Sequence, residues 1–221
     1  MTAVDTRLYA LIDPAQAGGH DIAALARAVA EGGATLVQLR DKLGSTREMI
    51  ARALRLKQAL AGAGVPLLIN DRVDVALAAE ADGVHVGQDD MPAETARALL
   101  GPEAIVGLSV GSEAEAAAAP VGLVDYVCIG AIFATGSKGD AGAAIGLDGF
   151  ARLAAMLRRS RAGMNICAIA GIDASNAADI IAAGADGVAV ISALAGANHP
   201  HAAAKKLRGI VDAARAERSV A

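Results

Sequence analysis

The stretch Ala81-Asp82-Gly83-Val84-His85-Val86-Gly87-Gln88-Asp89-Asp90 places an apolar, β-branched run directly after an Ala-Asp-Gly joint and ends it in a polar cluster. A short run of this kind, apolar on both alternating faces, reads as a strand of a parallel sheet covered on both sides. The same joint returns in Ala185-Asp186-Gly187, ahead of Val188-Ala189-Val190-Ile191-Ser192, and a shorter form, Gly33-Ala34, precedes another such run. Working outward, the runs are Leu8–Asp13, Ala34–Arg40, Pro66–Asp71, Gly83–Gly87, Ile105–Val110, Asp125–Gly130, Asn165–Gly171 and Gly187–Ser192. Ala-rich stretches of helical period separate them. Strand and helix in alternation predict parallel β/α architecture, and eight runs predict a closed (β/α)8 TIM barrel rather than an open, doubly wound sheet.

The helical stretches carry their own punctuation. Ser45 and Glu48 form a capping box ahead of Met49, Ala53, Leu56 and Leu60, which share one face. Ile22, Leu25 and Val29 line another helix, which Gly32 and Gly33 end. The chain has 221 residues, 54% hydrophobic but only 2% aromatic, with no Trp, so the core must be built from Val, Ile, Leu and Ala. That length is compact beside the ~250 residues usual for such barrels. No composition break suggests a second domain; one barrel over 1–221 is expected.

Net charge is −4, and no basic face suits nucleic acid. No apolar run is long and uncharged enough to span a bilayer, and the N-terminus shows no signal-peptide pattern. Cys128 and Cys167 lie in apolar runs without metal-ligand spacing and read as buried free thiols of a reducing cytoplasm. Association with further copies of the chain is compatible with all of this.

In barrels of this kind, working residues gather at the C-terminal strand ends. Here those ends carry Gln38-Leu39-Arg40-Asp41-Lys42, Asn70-Asp71, Gly87-Gln88-Asp89-Asp90, Ser109, Thr135-Gly136-Ser137-Lys138, Gly171 and Ile191-Ser192. Asp71 and Asp90 close neighbouring strands. Paired hard oxygens suit Mg²⁺, which takes one or two carboxylates and completes its shell with water and phosphate. Both could equally be helix N-caps, Asp90 above all with Met91-Pro92 after it. Arg40, Lys42 and Lys138 supply cations for a phosphate group, Arg bidentate and Lys as a movable point charge. A solvated Arg-Asp-Lys turn is the plainer alternative. Gly171 and Ile191-Ser192 follow strands seven and eight, where barrels often hold phosphate. The Gly- and Ala-rich segment 131–146 reads as a lid or as an unstructured connection. His85, Tyr9 and Tyr126 read as packed, hydrogen-bonded core residues. No Ser-His-Asp or Cys-His set can be assembled at the strand ends.

Taken in order, Gly33 to Lys42, Leu68-Ile69-Asn70-Asp71, Ala81 to Asp90, Asp125-Tyr126-Val127, Thr135 to Lys138 and Ala185 to Ser192 resemble the motifs of thiamine-phosphate synthases, over nearly the whole chain. The resemblance implies Mg²⁺-dependent joining of a pyrimidine methyl diphosphate to a thiazole phosphate, giving thiamine phosphate and pyrophosphate. It implies that Gln38, Leu39, Arg40, Asp41, Lys42, Asn70, Ser109 and Lys138 hold the pyrimidine diphosphate, with Arg40, Lys42, Lys138 and Ser109 catalytic. It assigns the metal to Asp71 and Asp90, and the thiazole phosphate to Thr135, Gly136, Ser137, Gly171, Ile191 and Ser192.

Some positions depart from the family pattern. Asp41 replaces a common Glu, Gly111 a common His, Ala131 a frequent Pro, Ala170 a frequent Gly and Ser137 a frequent Thr. Three other readings are rivals. A thiazole tautomerase would resemble this chain but use a histidine after strand five, where Gly111 stands. A non-catalytic binder of phosphorylated ligands would have no evident need for every cation and carboxylate. A sugar-phosphate epimerase would leave the Gln38–Lys42 cluster unexplained.

Overall fold

The structure, a computed structural model, describes residues 4–134 and 143–220, the side chain of 220 excepted. Eight strands close a parallel barrel in sequential order: β1 Leu8–Ile12, β2 Leu36–Leu39, β3 Leu67–Asn70, β4 Gly83–Val86, β5 Ile105–Val110, β6 Tyr126–Ile129, β7 Asn165–Ile169 and β8 Gly187–Val190. Each falls inside one of the eight runs. The outer ring among the described residues is α1 Ile22–Glu31, α2 Thr46–Leu60, α3 Val73–Ala79, α4 Ala93–Leu100, α5 Glu113–Ala118, α6 Gly146–Ser160, α7 Ala177–Ala182, a short α8 Ser192–Ala195 and the long α9 Pro200–Val220. No helix of the described residues is long and apolar enough to cross a membrane.

The period of two along each strand divides the core into an inner and an outer layer. Tyr9, Leu36, Leu68, Tyr126, Cys167 and Ala189 fill the barrel interior. Val37, Leu39, Ile69 and Val84 point outward and pack with Leu25, Val29, Ala53 and Leu56 of the helices. The capping box at Ser45 and Glu48 is formed, with Glu48 Oε2 accepting from Ser45 N at 2.8 Å. It starts α2 so that Met49, Ala53, Leu56 and Leu60 are buried.

At the floor, the residue just before each even-numbered strand clamps the start of the odd-numbered strand beside it. Thr35 N donates to Leu8 O (2.8 Å) and Thr35 Oγ1 accepts from Leu8 N (3.1 Å). Asp82 Oδ2 accepts from Leu67 N (2.7 Å), Asp125 Oδ2 from Val106 N (2.8 Å) and Asp186 Oδ2 from Ile166 N (2.9 Å). A strand start has an amide that no ladder satisfies, and a short acceptor at this position closes it. This is the physical content of the repeated Ala-Asp-Gly joint. Two of the carboxylates also hold an arginine: Arg97 to Asp125 at 2.6 Å and Arg158 to Asp186 at 2.8 Å.

Candidate active site

At the opposite end, a cavity of about 580 Å³ opens among the C-terminal strand ends. Three consecutive charges after β2 go three different ways. Arg40, 8% exposed, donates from Nη1 to Asp13 Oδ2 at 2.7 Å; Asp13 itself is held in the turn after β1, accepting from Ala15 N at 2.9 Å. Lys42 Nζ meets Asp71 Oδ2 at 2.5 Å. Asp41 turns away from the cavity: its carboxylate binds Arg52 and accepts from Gly44 N at 2.8 Å. The three charges therefore form three separate ion pairs rather than the solvated turn that was the plainer alternative, and of the three only Arg40 and Lys42 line the cavity.

Neither Asp71 nor Asp90 caps a helix. α3 begins after Arg72 and α4 after Pro92, and neither position makes a side-chain cap bond. Asp71 instead sits at φ 62°, a left-handed conformation that costs a non-glycine residue stability and recurs at functional sites. Its carboxyl is pushed up from 3.8 to about 6 by burial and by the facing carboxylate of Asp90, against the pull of Lys42. Asp90 is fixed from below, accepting from Gly87 N through Oδ2 at 2.8 Å. Two carboxylates that face each other at hydrogen-bonding range repel when both are ionised, and a cation between them removes the repulsion. Hard, paired oxygens beside a phosphate-sized space match the way Mg²⁺ is held.

Gln38, 1% exposed, is the least exposed of the amide and charged side chains that line the cavity. Its amide nitrogen donates to the Tyr9 hydroxyl, whereas Oε1 is buried with no partner among the described residues. From Tyr9 the hydrogen bonds continue across the barrel. The Tyr9 and Tyr126 hydroxyls are 2.9 Å apart, Tyr126 Oη lies 2.8 Å from His85 Nδ1, and His85 Nε2 lies 2.8 Å from Ser109 Oγ. The core reading of His85, Tyr9 and Tyr126 therefore holds, but they also form the cavity floor beneath Gln38 and Ser109.

Asn70 lines the same cavity. Leu39 does not; it faces outward into the helical layer. Gly171, Ile191 and Ser192 follow the paired ends of β7 and β8, beside rather than within this cavity. Ile191 packs into the barrel interior and Ser192 is exposed at the start of α8. Gly171 has φ 67°, and a Cβ there would come within 2.7 Å of Phe133 Cβ. Phe133 N also donates to Ala170 O at 3.2 Å, so residues 131–134 are pinned to the end of β7. Ile145 N returns to Ala131 O at 2.9 Å and closes the stem of the expected lid. Thr135, Gly136, Ser137 and Lys138 lie outside the described residues.

Asp13, Gln88 and Glu115 had no place among the expected site residues, and of these Gln88 and Glu115 line the cavity. Asp13 ends the first run and could have been found by the same strand-end rule. Gln88 donates to Ser109 O at 2.6 Å, and Glu115 Oε2 accepts from Gly111 N at 2.7 Å. Glu115 lies on a helix, where the sequence carries no comparable signal.

Fold and mouth together define a class: β/α-barrel enzymes acting on small molecules at the C-terminal ends of their strands. Comparison with known proteins gives the family. Residues 8–194 match the family model described as thiamine monophosphate synthase, and the chain belongs to that family. It is 50% identical to the thiamine-phosphate synthase of Agrobacterium fabrum, over 97% of each chain. It is 48% identical to that of Moorella thermoacetica, over 94% of this chain and 97% of the relative. Among solved structures, the thiamine phosphate pyrophosphorylase from Pyrococcus furiosus superposes with a TM-score of 0.82 at 35% identity, covering 96% of this chain and 98% of its own.

Proposed function

We propose that the chain condenses an aminopyrimidine methyl diphosphate with a thiazole phosphate, releasing pyrophosphate and thiamine phosphate. The observation that carries this reading is the mouth itself: Asp71 faces Asp90, with Lys42 and Arg40 beside them, above a buried and unpartnered amide oxygen at Gln38. A charged tail would lie among the ions and a flat polar ring on the floor. Asp71 and Asp90 would hold Mg²⁺, which when bound neutralises charge on the diphosphate.

Arg40, Lys42 and Lys138 would bind the same diphosphate and stabilise it as a leaving group. The C–O bond to the pyrimidine methylene breaks with its electron pair leaving on pyrophosphate. The thiazole nitrogen then gives its lone pair to the methylene carbon. No protein nucleophile is required. Asn70 and Ser109 would hold the diphosphate near the mouth while Gln38 holds the ring below. Gly171, Ile191 and Ser192, with Thr135, Gly136 and Ser137, would receive the thiazole phosphate at the ends of β7 and β8. Leu39 and Asp41 support the site only indirectly, Leu39 by packing and Asp41 by fixing the turn that carries Lys42. We place the reaction in the cytoplasm, on the two buried free thiols Cys128 and Cys167.

A coupling assay tests this reading. Protein, the two substrates and Mg²⁺ should yield thiamine phosphate, detected as its fluorescent oxidation product, and EDTA should abolish it. Folded protein that gives no product would overturn the reaction. Fixed cations aimed at a leaving group are each worth roughly 3 kcal/mol of barrier. Arg40→Ala and Lys138→Ala should therefore each slow turnover by about a hundredfold or more at saturating substrate.

A further inference from the structure

The hydrogen-bonded line through the barrel interior has two open ends. Gln38 Oε1 closes one end without a partner, and the Ser109 hydroxyl closes the other. Three residues lie between: Tyr9 (1% exposed), Tyr126 (0%) and His85 (7%). None of them was singled out by the motifs for chemistry. Their arrangement is nonetheless closely built. The Tyr9 and Tyr126 rings meet edge-on at 5.7 Å and 87°, and His85 stacks on Tyr126 at 5.5 Å and 28°. His85, Gly107 and Tyr126 are register neighbours on β4, β5 and β6. Any Cβ at Gly107 would overlap the Tyr126 ring, so the glycine is what lets imidazole and phenol meet across β5.

We propose that Tyr9, Tyr126 and His85 are positioning residues whose relay ties the amide orientation of Gln38 to the hydroxyl of Ser109. An anion at Ser109 thereby selects an exocyclic amine at Gln38. The proposal rests on the reaction proposed above, with the diphosphate toward Ser109 and the ring at Gln38.

Proton count limits what such a line can do. A phenol has one proton to donate, and a neutral imidazole donates from one nitrogen and accepts at the other. Such a line satisfies every member in only two senses. In the structure the Tyr9 hydroxyl accepts from both Gln38 Nε2 and Tyr126. The first sense keeps the Gln38 bond and turns the hydroxyl protons, so that Gln38 Nε2 donates to Tyr9, Tyr9 to Tyr126, Tyr126 to His85 Nδ1, and His85 Nε2 to Ser109 Oγ. Ser109 then keeps its proton for the ligand, and Gln38 presents an acceptor. In the second, every bond reverses, Ser109 becomes an acceptor and the Gln38 amide must turn over. An anionic oxygen accepts and cannot donate, so a diphosphate at Ser109 enforces the first sense. Gln38 Oε1 then asks for a donor, which an amino group on the ring supplies and an oxo group does not. Bonds aligned in one direction also polarise one another, which strengthens the bias.

The test is a ratio of affinities. The 4-amino pyrimidinylmethyl diphosphate and its 4-oxo counterpart are titrated calorimetrically with Mg²⁺ and without the thiazole. Wild type should prefer the amino compound, and both Tyr126→Phe and Tyr9→Phe should reduce that preference by about tenfold, the equivalent of one hydrogen bond of about 1.4 kcal/mol. A merely structural role would weaken both ligands alike and leave the ratio unchanged. An unchanged ratio in either folded variant therefore overturns the relay, as does a wild type that binds the two equally. If Tyr126→Phe fails to fold, Tyr9→Phe carries the test alone. Wild type that discriminates as expected but makes no thiamine phosphate would sink the proposed reaction while leaving the relay standing.

Discussion

The two ends of the barrel are built from the same residue types and use them in opposite ways. At the floor, Asp82, Asp125 and Asp186 each accept from a strand-start amide, and the last two also hold arginines. At the mouth, Asp71 faces Asp90, sits at φ 62° and has its carboxyl raised to about 6 by burial and by that facing carboxylate. Gln38 Oε1 lies buried there with no donor among the described residues. A carboxylate surrounded by donors stabilises the fold. One that faces another carboxylate destabilises the empty protein and stabilises it again only when a cation arrives. Satisfaction of polar groups, rather than their identity, distinguishes the end that holds the barrel from the end that works.

Asp71→Asn should have the greatest effect at the mouth. Turnover with Mg²⁺ should fall by about a hundredfold to a thousandfold, the loss typical of a preorganised charge contact. The same variant should melt no lower than wild type in EDTA, since it removes a repulsion. A variant that loses activity and stability together would place Asp71 with the floor carboxylates instead.

Asp125→Asn asks the converse question. Arg97 and Asp125 are both largely buried, with side chains 12% and 6% exposed. The amide keeps an acceptor for Val106 N but leaves the guanidinium without its counter-charge, at a cost of about 2 kcal/mol. The melting temperature should drop by about 4–8 °C. Steady-state turnover at 25 °C should stay within about twofold, because nothing at the mouth has changed; a tenfold loss would contradict the division between the two ends.

Much of the barrel was legible because parallel strands buried on both faces leave short apolar runs that nothing else in the chain imitates. All eight strands fall within those runs. The Ala-Asp-Gly joint was visible as a repeat, but its role as a clamp was not, since the partner amide belongs to another strand. Sequence adjacency misled at Arg40-Asp41-Lys42. Beyond the end of β2 the chain turns, so three neighbours reach Asp13, Arg52 and Asp71 in three directions. Asp71 and Asp90 could not be told from helix caps until α3 and α4 were seen to begin without them. The relay was the least legible part, because Tyr9 and Tyr126 are 117 residues apart and meet only when the barrel closes. Gly107, an isolated glycine within a strand, was the one local sign of a close approach.

The facing carboxylates also make stability depend on pH. The folded protein holds the Asp71 proton more tightly than the unfolded chain does, about 6 against 3.8. Its contribution to stability is therefore complete below about pH 4 and is lost as pH rises through about 6. In EDTA, wild type should lose about 2–4 °C of melting temperature relative to Asp71→Asn between pH 5 and 7.5, allowing for screening at the open mouth. Mg²⁺ should restore it at the upper pH only. Parallel profiles for the two proteins would mean that the carboxylates do not face each other in solution.

The smallest expected effect lies where the mouth is strained without a chemical reason. Ala170 sits at φ 85° between Ile169 of the barrel interior and Gly171, and its carbonyl accepts from Phe133 N. An L-residue there carries a steric cost of about 1–2 kcal/mol that glycine avoids, set against the extra freedom glycine gains in the unfolded chain. Ala170→Gly should therefore raise the melting temperature by about 1–3 °C and leave the Phe133 hydrogen bond in place. If the strain is instead used, by holding residues 131–134 against β7 for the thiazole phosphate, the same variant should raise the KM for that substrate while kcat stays near wild type. Measuring the two together separates strain left over at the mouth from strain that serves the site, a distinction the fully satisfied floor cannot offer.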